Sequence, residues 1–229
     1  MRWSLEERTV RVPAGAVTLE GDLMIPEGAQ GVVLFAHGSG SSRHSPRNRR
    51  VAQLLHQSRL ATVLVDLLTA DEEMADRRTG HLRFDIGLLA ERLVGAADWL
   101  ASQQETRDLV LGCFGASTGA AAALVAAAAR PHAVGAVVSR GGRPDLAGPS
   151  LPMVRSPTLL IVGGDDEPVL ALNREAYDQL RCEKRLVVVP GATHLFEEPG
   201  ALEEVARHAG HWLEQHLVPQ DQTTISSRW

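Results

Sequence analysis

Leu109-Val110-Leu111-Gly112-Cys113-Phe114-Gly115-Ala116-Ser117-Thr118-Gly119-Ala120 decides how the rest of the chain is read. An apolar strand runs into Gly-x-Ser-x-Gly, and that runs into an alanine-rich helix. A sharp strand-to-helix turn of this kind lifts the serine hydroxyl above the sheet edge on strained backbone. Side chains two residues either side of the serine would collide, so Gly115 and Gly119 fit there. The helix that follows, about Ala120 to Ala129, aims its amides and positive dipole end at the serine, where an oxyanion would form. Alone, the pentapeptide reads equally well as a glycine-rich turn that contains a serine.

Strands and helices alternate on both sides of this turn. Thr9 to Val12 and Ala16 to Ile25 predict an antiparallel hairpin closed by Pro13-Ala14-Gly15. Gly31 to Ala36 and Ala61 to Leu68 are continuous apolar runs, as strands buried on both faces require. Ala133 to Ser139, Thr158 to Val162 and Arg185 to Val189 follow the elbow as further strands. Helices are expected over about Pro46–Gln57, Phe84–Gln103, Leu170–Leu180 and Gly200–His216, with Pro46 suited to a first turn. The polar stretch Thr69 to Arg83 reads as a loop, either a small lid over the pocket or a solvated connection. The pattern predicts an α/β fold: a mostly parallel, doubly wound sheet with helices on both faces and a minimal cap. One domain over 1–217 and a loose tail over 218–229 are expected.

Composition narrows the function. The 229 residues are 44% hydrophobic and 22% charged, with a net charge of -5 and 4% aromatics. This acidic balance argues against nucleic acid or an anionic membrane as partner. The basic run Arg43, Arg47, Arg49 and Arg50 reads as a solvated helix start. Two cysteines, Cys113 and Cys182, suggest neither a disulfide framework nor zinc, and Cys113 should be a buried, inert thiol. His208 and His211 sit one turn apart without a third ligand, so no metal and no cofactor are expected. No apolar run approaches the length of a membrane span, and the N-terminus lacks a signal-peptide core. A cytoplasmic protein, monomeric or a small homo-oligomer, acting on a small molecule is the expectation.

A serine hydroxyl needs a base, and the base needs an orienting carboxylate. In open parallel sheets these collect in loops at the carboxyl ends of strands. His194 alone among nine histidines follows the last strand and precedes the last helix. The acid should leave the strand ending at Val162: Asp165 and Asp166 are adjacent candidates, Glu167 is a weaker third, and Asp145 is an outside candidate. The order serine, acid, histidine is the one this fold uses. The oxyanion would take the backbone amide of Thr118 and one from His37-Gly38-Ser39-Gly40, with Ser39 preferred over Gly40 and His37 bracing the loop. Arg43, Arg140 and Arg143 lie at strand ends, as candidates for a substrate carboxylate or for loop salt bridges.

These motifs resemble the α/β-hydrolase superfamily over nearly the whole chain. Small size, no large cap and Gly191-Ala-Thr-His-Leu-Phe-Glu197 look like the dienelactone hydrolase branch. The stretch His37-Gly-Ser-Gly-Ser-Ser-Arg-His-Ser-Pro-Arg-Asn48 is similar to dienelactone hydrolase-like proteins sometimes fused to phosphoribosyltransferases; no such module is expected in this chain. In that subgroup the aspartate of Gly-Gly-x-Asp-x-Pro-Val is the triad acid, which matches Asp166. Dienelactone hydrolases proper carry cysteine at the elbow, whereas this chain carries Ser117, so the resemblance implies general ester chemistry. The expected activity is hydrolysis of small carboxylic esters or lactones through an acyl-enzyme, with Ser117, His194 and Asp166 as triad. Phosphotriester or carbon–carbon hydrolysis on the same residues, and a non-catalytic binding module, are the alternatives.

Overall fold

The structure is a computed structural model that describes residues 7–218. Eight strands form one sheet in the order β1-β2-β4-β3-β5-β6-β7-β8. β1 (Arg8–Ala14) and β2 (Val17–Met24) are the antiparallel hairpin, and β2 runs antiparallel to β4 (Leu60–Val65). Pro13 lies within β1 itself, opposite Thr18, and is tolerated because β1 is an edge strand. From β4 onward all pairings are parallel: β3 (Gly31–Ala36), β5 (Val110–Ala116), β6 (Val134–Arg140), β7 (Thr158–Gly163) and β8 (Lys184–Val189). This is the mostly parallel sheet anticipated from the alternation of elements.

The pleat of β3 divides the core. Val32 and Leu34 point to the face covered by α3 (Ile86–Ser102), α4 (Thr118–Ala129) and α5 (Glu167–Gln179). Val33 and Phe35 point to the face covered by α1 (Pro46–Leu55) and α6 (Ala201–Leu217). A strand buried on both sides has no polar register, hence the unbroken apolar runs.

The stretch expected as a loop over 69–83 is instead mostly helix. α2 (Ala70–Thr79) starts at a capping box between Thr69 and Glu72 and ends at Gly80 in the left-handed region (φ 68°). The Thr-Ala-Asp-Glu signal was present in the sequence, but high polarity hid it. α2 is also clasped from below. The buried Asp76 carboxylate accepts from the Leu82 amide at 2.7 Å and from Arg83 Nε at 2.5 Å. Burial pushes the Asp76 carboxyl upward, and these partners outweigh it and hold it below the usual carboxylate range. Glu72 in turn accepts from Arg92 of α3 at 2.7 Å.

Two further elements differ from expectation. A 3-10 segment, Pro144–Met153, follows β6 and packs against α4 and α5; its three prolines and the kink at Gly148 leave no helical periodicity to read. α5 begins at Glu167 rather than Leu170, with Asp166 as the residue before its first turn. Of the expected tail over 218–229, all but Val218 lies outside the described residues. Among those residues, no helix is long and apolar enough to cross a membrane.

Candidate active site

Ser117 occupies the turn between β5 and α4 at φ 51°, ψ −123°, a region that L-residues rarely enter. Neighbouring backbone holds it there. Its amide donates to the Arg140 carbonyl at 3.4 Å, and its carbonyl accepts from the Ala120 and Arg143 amides at 3.1 and 3.0 Å. The two glycines are sterically required. A Cβ on Gly115 would lie 2.4 Å from Ala120 Cα, and one on Gly119 would lie 2.3 Å from the Ala36 carbonyl oxygen. The elbow is therefore wedged against the carboxyl end of β3.

His194 stands in the loop after β8, on the same side of the sheet. Its Nδ1 lies 2.7 Å from Asp166 Oδ2. A carboxylate only accepts, so Nδ1 is the donor in this bond and Nε2 is left outside it. Asp165, the alternative acid, is exposed, and its amide donates to the Ala192 carbonyl at 3.0 Å. Asp145, the outside candidate, is held by Arg143 through two bonds of 2.9 and 2.7 Å. Of the carboxylates weighed from sequence, the structure thus brings Asp166 to the histidine. Gly141, directly after β6, sits at φ 49° and packs against the His194 backbone, where a Cβ would stand 3.0 Å from the His194 carbonyl oxygen.

Ser117 and His194 line one cavity of about 240 Å³, together with Ser39, Arg47, Asn48 and Arg140 among others. This is below the roughly 300–1,000 Å³ of sites for drug-sized ligands. A separate cavity of about 720 Å³ lies beside it and shares Ser41 and Ser45. Its wall carries Glu20, Asp66, Asp71 and Glu73 and lacks Ser117 and His194.

The loop after β3 is braced as expected. His37 Nδ1 donates to the Gly38 carbonyl at 2.9 Å, and its Nε2 accepts from the Leu67 amide at 3.1 Å. Burial lowers its pKa, outweighing nearby Asp66 and Glu73, so the ring is a neutral strut. The Ser39 amide is a different matter. Read as a free donor from sequence, it is engaged by the Thr118 hydroxyl oxygen at 2.9 Å. Thr118 therefore contributes its side chain to this corner as well as its backbone, which a reading of backbone amides alone missed.

The three arginines separate. Arg43 is bound to Asp66, with Glu20 at 2.8 Å and Asp22 at 3.5 Å, and it lines the larger cavity. Arg143 is taken by Asp145. Arg140 alone of the three borders the cavity of Ser117. Cys113, four residues before Ser117 on β5, is a free thiol that burial pushes up to about 12, far from thiolate chemistry at neutral pH.

A serine on a strand-to-helix elbow, with an aspartate-paired histidine in the same cavity of an eight-stranded α/β sheet, defines the protein as an α/β-hydrolase. Comparison narrows the class. The chain is 62% identical to a dienelactone hydrolase from Anabaena variabilis whose crystal structure is known; the match covers 94% of this chain and 100% of that one, with a TM-score of 0.92. The chain belongs to the dienelactone hydrolase family. It is also 57% identical over 213 residues to two Mycobacterium tuberculosis proteins that carry a provisional phosphoribosyl transferase name. That match covers 93% of this chain and 47% of theirs, so the chain spans about half the length of these curated relatives. A dienelactone hydrolase-like promiscuous phosphotriesterase from metagenomic libraries shares the fold at 18% identity, with 93% of this chain and 99% of that one covered and a TM-score of 0.73. No protein-family model matches the chain.

Proposed function

We propose that this hydrolase cleaves small carboxylic esters or lactones through an acyl-enzyme formed on Ser117. The observation that carries the reading is the Asp166–His194 pair at 2.7 Å, bordering the same cavity as a serine held at φ 51°. His194 Nε2 takes the Ser117 hydroxyl proton as Oγ attacks the carbonyl carbon. The tetrahedral intermediate collapses, and the imidazolium returns the proton to the departing alkoxide. Water, activated by the same nitrogen, then releases the acid and frees the serine. Asp166 holds the Nδ1–H tautomer and stabilises the imidazolium.

The oxyanion is received by the Thr118 amide, at the first position of α4, and by the Ser39 amide. An oxyanion is a stronger acceptor than a neutral hydroxyl, so it displaces the Thr118 hydroxyl from the Ser39 amide as charge develops. The small cavity favours short acyl or lactone substrates. Two free cysteines and the absence of a membrane-spanning helix among the described residues are compatible with action in a reducing cytoplasm.

The test combines a fluorophosphonate label with a chain-length series of p-nitrophenyl esters. Intact mass should show one adduct, on Ser117, and Ser117→Ala should remain folded while its esterase rate falls by several orders of magnitude, on the order of 10⁴ or more. Equal hydrolysis by Ser117→Ala would sink the reading.

A further inference from the structure

The cavity at Ser117 contains a cation that the fold does not neutralise. Arg140, the last residue of β6, is 7% exposed. Its Nη2 donates to Asn48 Oδ1 at 3.3 Å, while Nε and Nη1 have no hydrogen-bond partner among the described residues. Among those residues no carboxylate lies within ion-pair distance of it, whereas Arg43, Arg83, Arg92 and Arg143 each meet at least one. Its guanidinium carbon stands 5.9 Å from the ring centre of Phe196, which screens one side from water. Burial, and then the nearby Arg47, lower its pKa to about 10, so it stays charged at neutral pH. An uncompensated buried charge destabilises a fold. Its retention beside a reactive serine asks for a ligand that supplies the counter-charge.

The remaining wall has the same sign. Arg47 borders this cavity, held by Glu197 at 2.8 Å. Ser45, the N-cap of the ten-residue helix α1, and Asn48 in its first turn also line it, so α1 turns its positive end toward the space. Among the described residues no aspartate or glutamate lines it, although four acidic residues line the larger cavity alongside.

We propose that Arg140, with Arg47, Asn48 and the N-terminus of α1, forms an anion subsite that receives a carboxylate or phosphate substituent of the ester substrate. This rests on the assignment of Ser117 as nucleophile in the same cavity. A carboxylate would accept from the open Nη1–H groups of Arg140, since Nε–H points to the other side of the guanidinium; a phosphate could also reach Arg47. The substrate is then an anionic ester, and the subsite sets which end of it faces Ser117.

Two measurements test this independently. Ser117→Ala protein, which binds without turnover, is titrated calorimetrically with succinate and with inorganic phosphate. The wild type is assayed with p-nitrophenyl hydrogen succinate, p-nitrophenyl phosphonoacetate and the neutral p-nitrophenyl butyrate. At least one anion should bind, and the matching anionic ester should exceed the neutral one by at least tenfold in kcat/KM. Succinate alone identifies a carboxylate, phosphate alone a phosphate. Adding Arg140→Met should weaken that binding at least tenfold and collapse the ester preference, without lowering the melting temperature, because the change removes an unpaired charge. Arg47→Met serves as a second variant, with a smaller loss of anion preference. If neither anion binds and neutral and anionic esters are cleaved alike, the subsite is refuted while the esterase reading stands. If anions bind through Arg140 yet no ester is cleaved, the subsite stands and the esterase reading falls.

Discussion

Asp166 Oδ2 and His194 Nδ1 lie 2.7 Å apart although 28 residues separate them in the chain. Parallel pairing of β7 with β8 creates that meeting: Gly163 is in register with Val189, so the loops after both strands emerge at the same sheet edge. The backbone then locks them, because the Asp165 amide donates to the Ala192 carbonyl at 3.0 Å and the Gly164 amide to the Val189 carbonyl at 2.8 Å. Asp166→Asn should reduce kcat by about 10³–10⁴ with little change in KM, since the wrong tautomer of His194 is then favoured. Asp165→Asn should stay within a few-fold of wild type. Steady-state kinetics on both variants, with circular dichroism to confirm folding, decides between the two acids; a larger loss in Asp165→Asn would reverse the assignment.

The elbow gives a second prediction. A Cβ on Gly119 would meet two backbone carbonyls, those of Ala36 at 2.3 Å and His37 at 2.5 Å, and neither can rotate away. Gly119→Ala should therefore push α4 from β3, costing about 1–3 kcal/mol as overpacking does and moving the Thr118 amide and hydroxyl together. The check is a urea midpoint alongside kcat. Unchanged stability together with unchanged kcat would show that the strand end yields more easily than its contacts imply.

The same strand ends explain what could be read from sequence. β3 coincides with the apolar run from Gly31 to Ala36, because a strand buried on both faces leaves no ambiguity in composition. Ser117, His194 and the adjacent pair Asp165 and Asp166 could be singled out as candidates because each follows such a run in a fixed order. α2 was not, since a short polar helix whose one buried residue is an aspartate has no apolar stripe to detect. The Thr118 hydroxyl on the Ser39 amide was equally hidden: those residues are 79 positions apart and meet only through the β3–β5 pairing. Nor could sequence tell Arg140 from Arg143. Both lie at the carboxyl end of β6, and the difference is that Asp145 pairs with Arg143 and not with Arg140.

The clasp beneath α2 makes a third prediction. Asp76 ties the end of α2 to Leu82 and Arg83, and Gly40 of the loop after β3 faces the Arg83 guanidinium, with Nη1 3.9 Å from where its Cβ would stand. Asp76→Asn keeps the size but removes the charge that Arg83 needs, so the segment from Arg77 to Arg83 should open more often. Limited trypsin digestion should cut Asp76→Asn several-fold faster at Arg77, Arg78 or Arg83 than wild type, with the rest of the domain intact. Equal cutting rates would mean that the capping box and the Glu72–Arg92 pair alone hold α2 closed.

A fourth prediction concerns acid stability. His56, at the end of α1, meets the Thr62 hydroxyl at 2.8 Å, and burial lowers its pKa from 6.5 to about 4. The native ring therefore resists a proton that the unfolded chain accepts. Stability is complete above about pH 6.5, is lost progressively as pH falls from there to about 4, and changes no further from this group below that. The neutral strut His37 acts in the same direction. Wild-type protein should take up about one proton per such histidine on unfolding near pH 5, so urea midpoints should drop between pH 7.5 and pH 5.0. In His56→Gln, whose amide can still meet Thr62, the drop should be visibly shallower while the midpoint at pH 7.5 stays close to wild type. A variant that loses stability as steeply as wild type over that interval would assign the acid sensitivity to other groups.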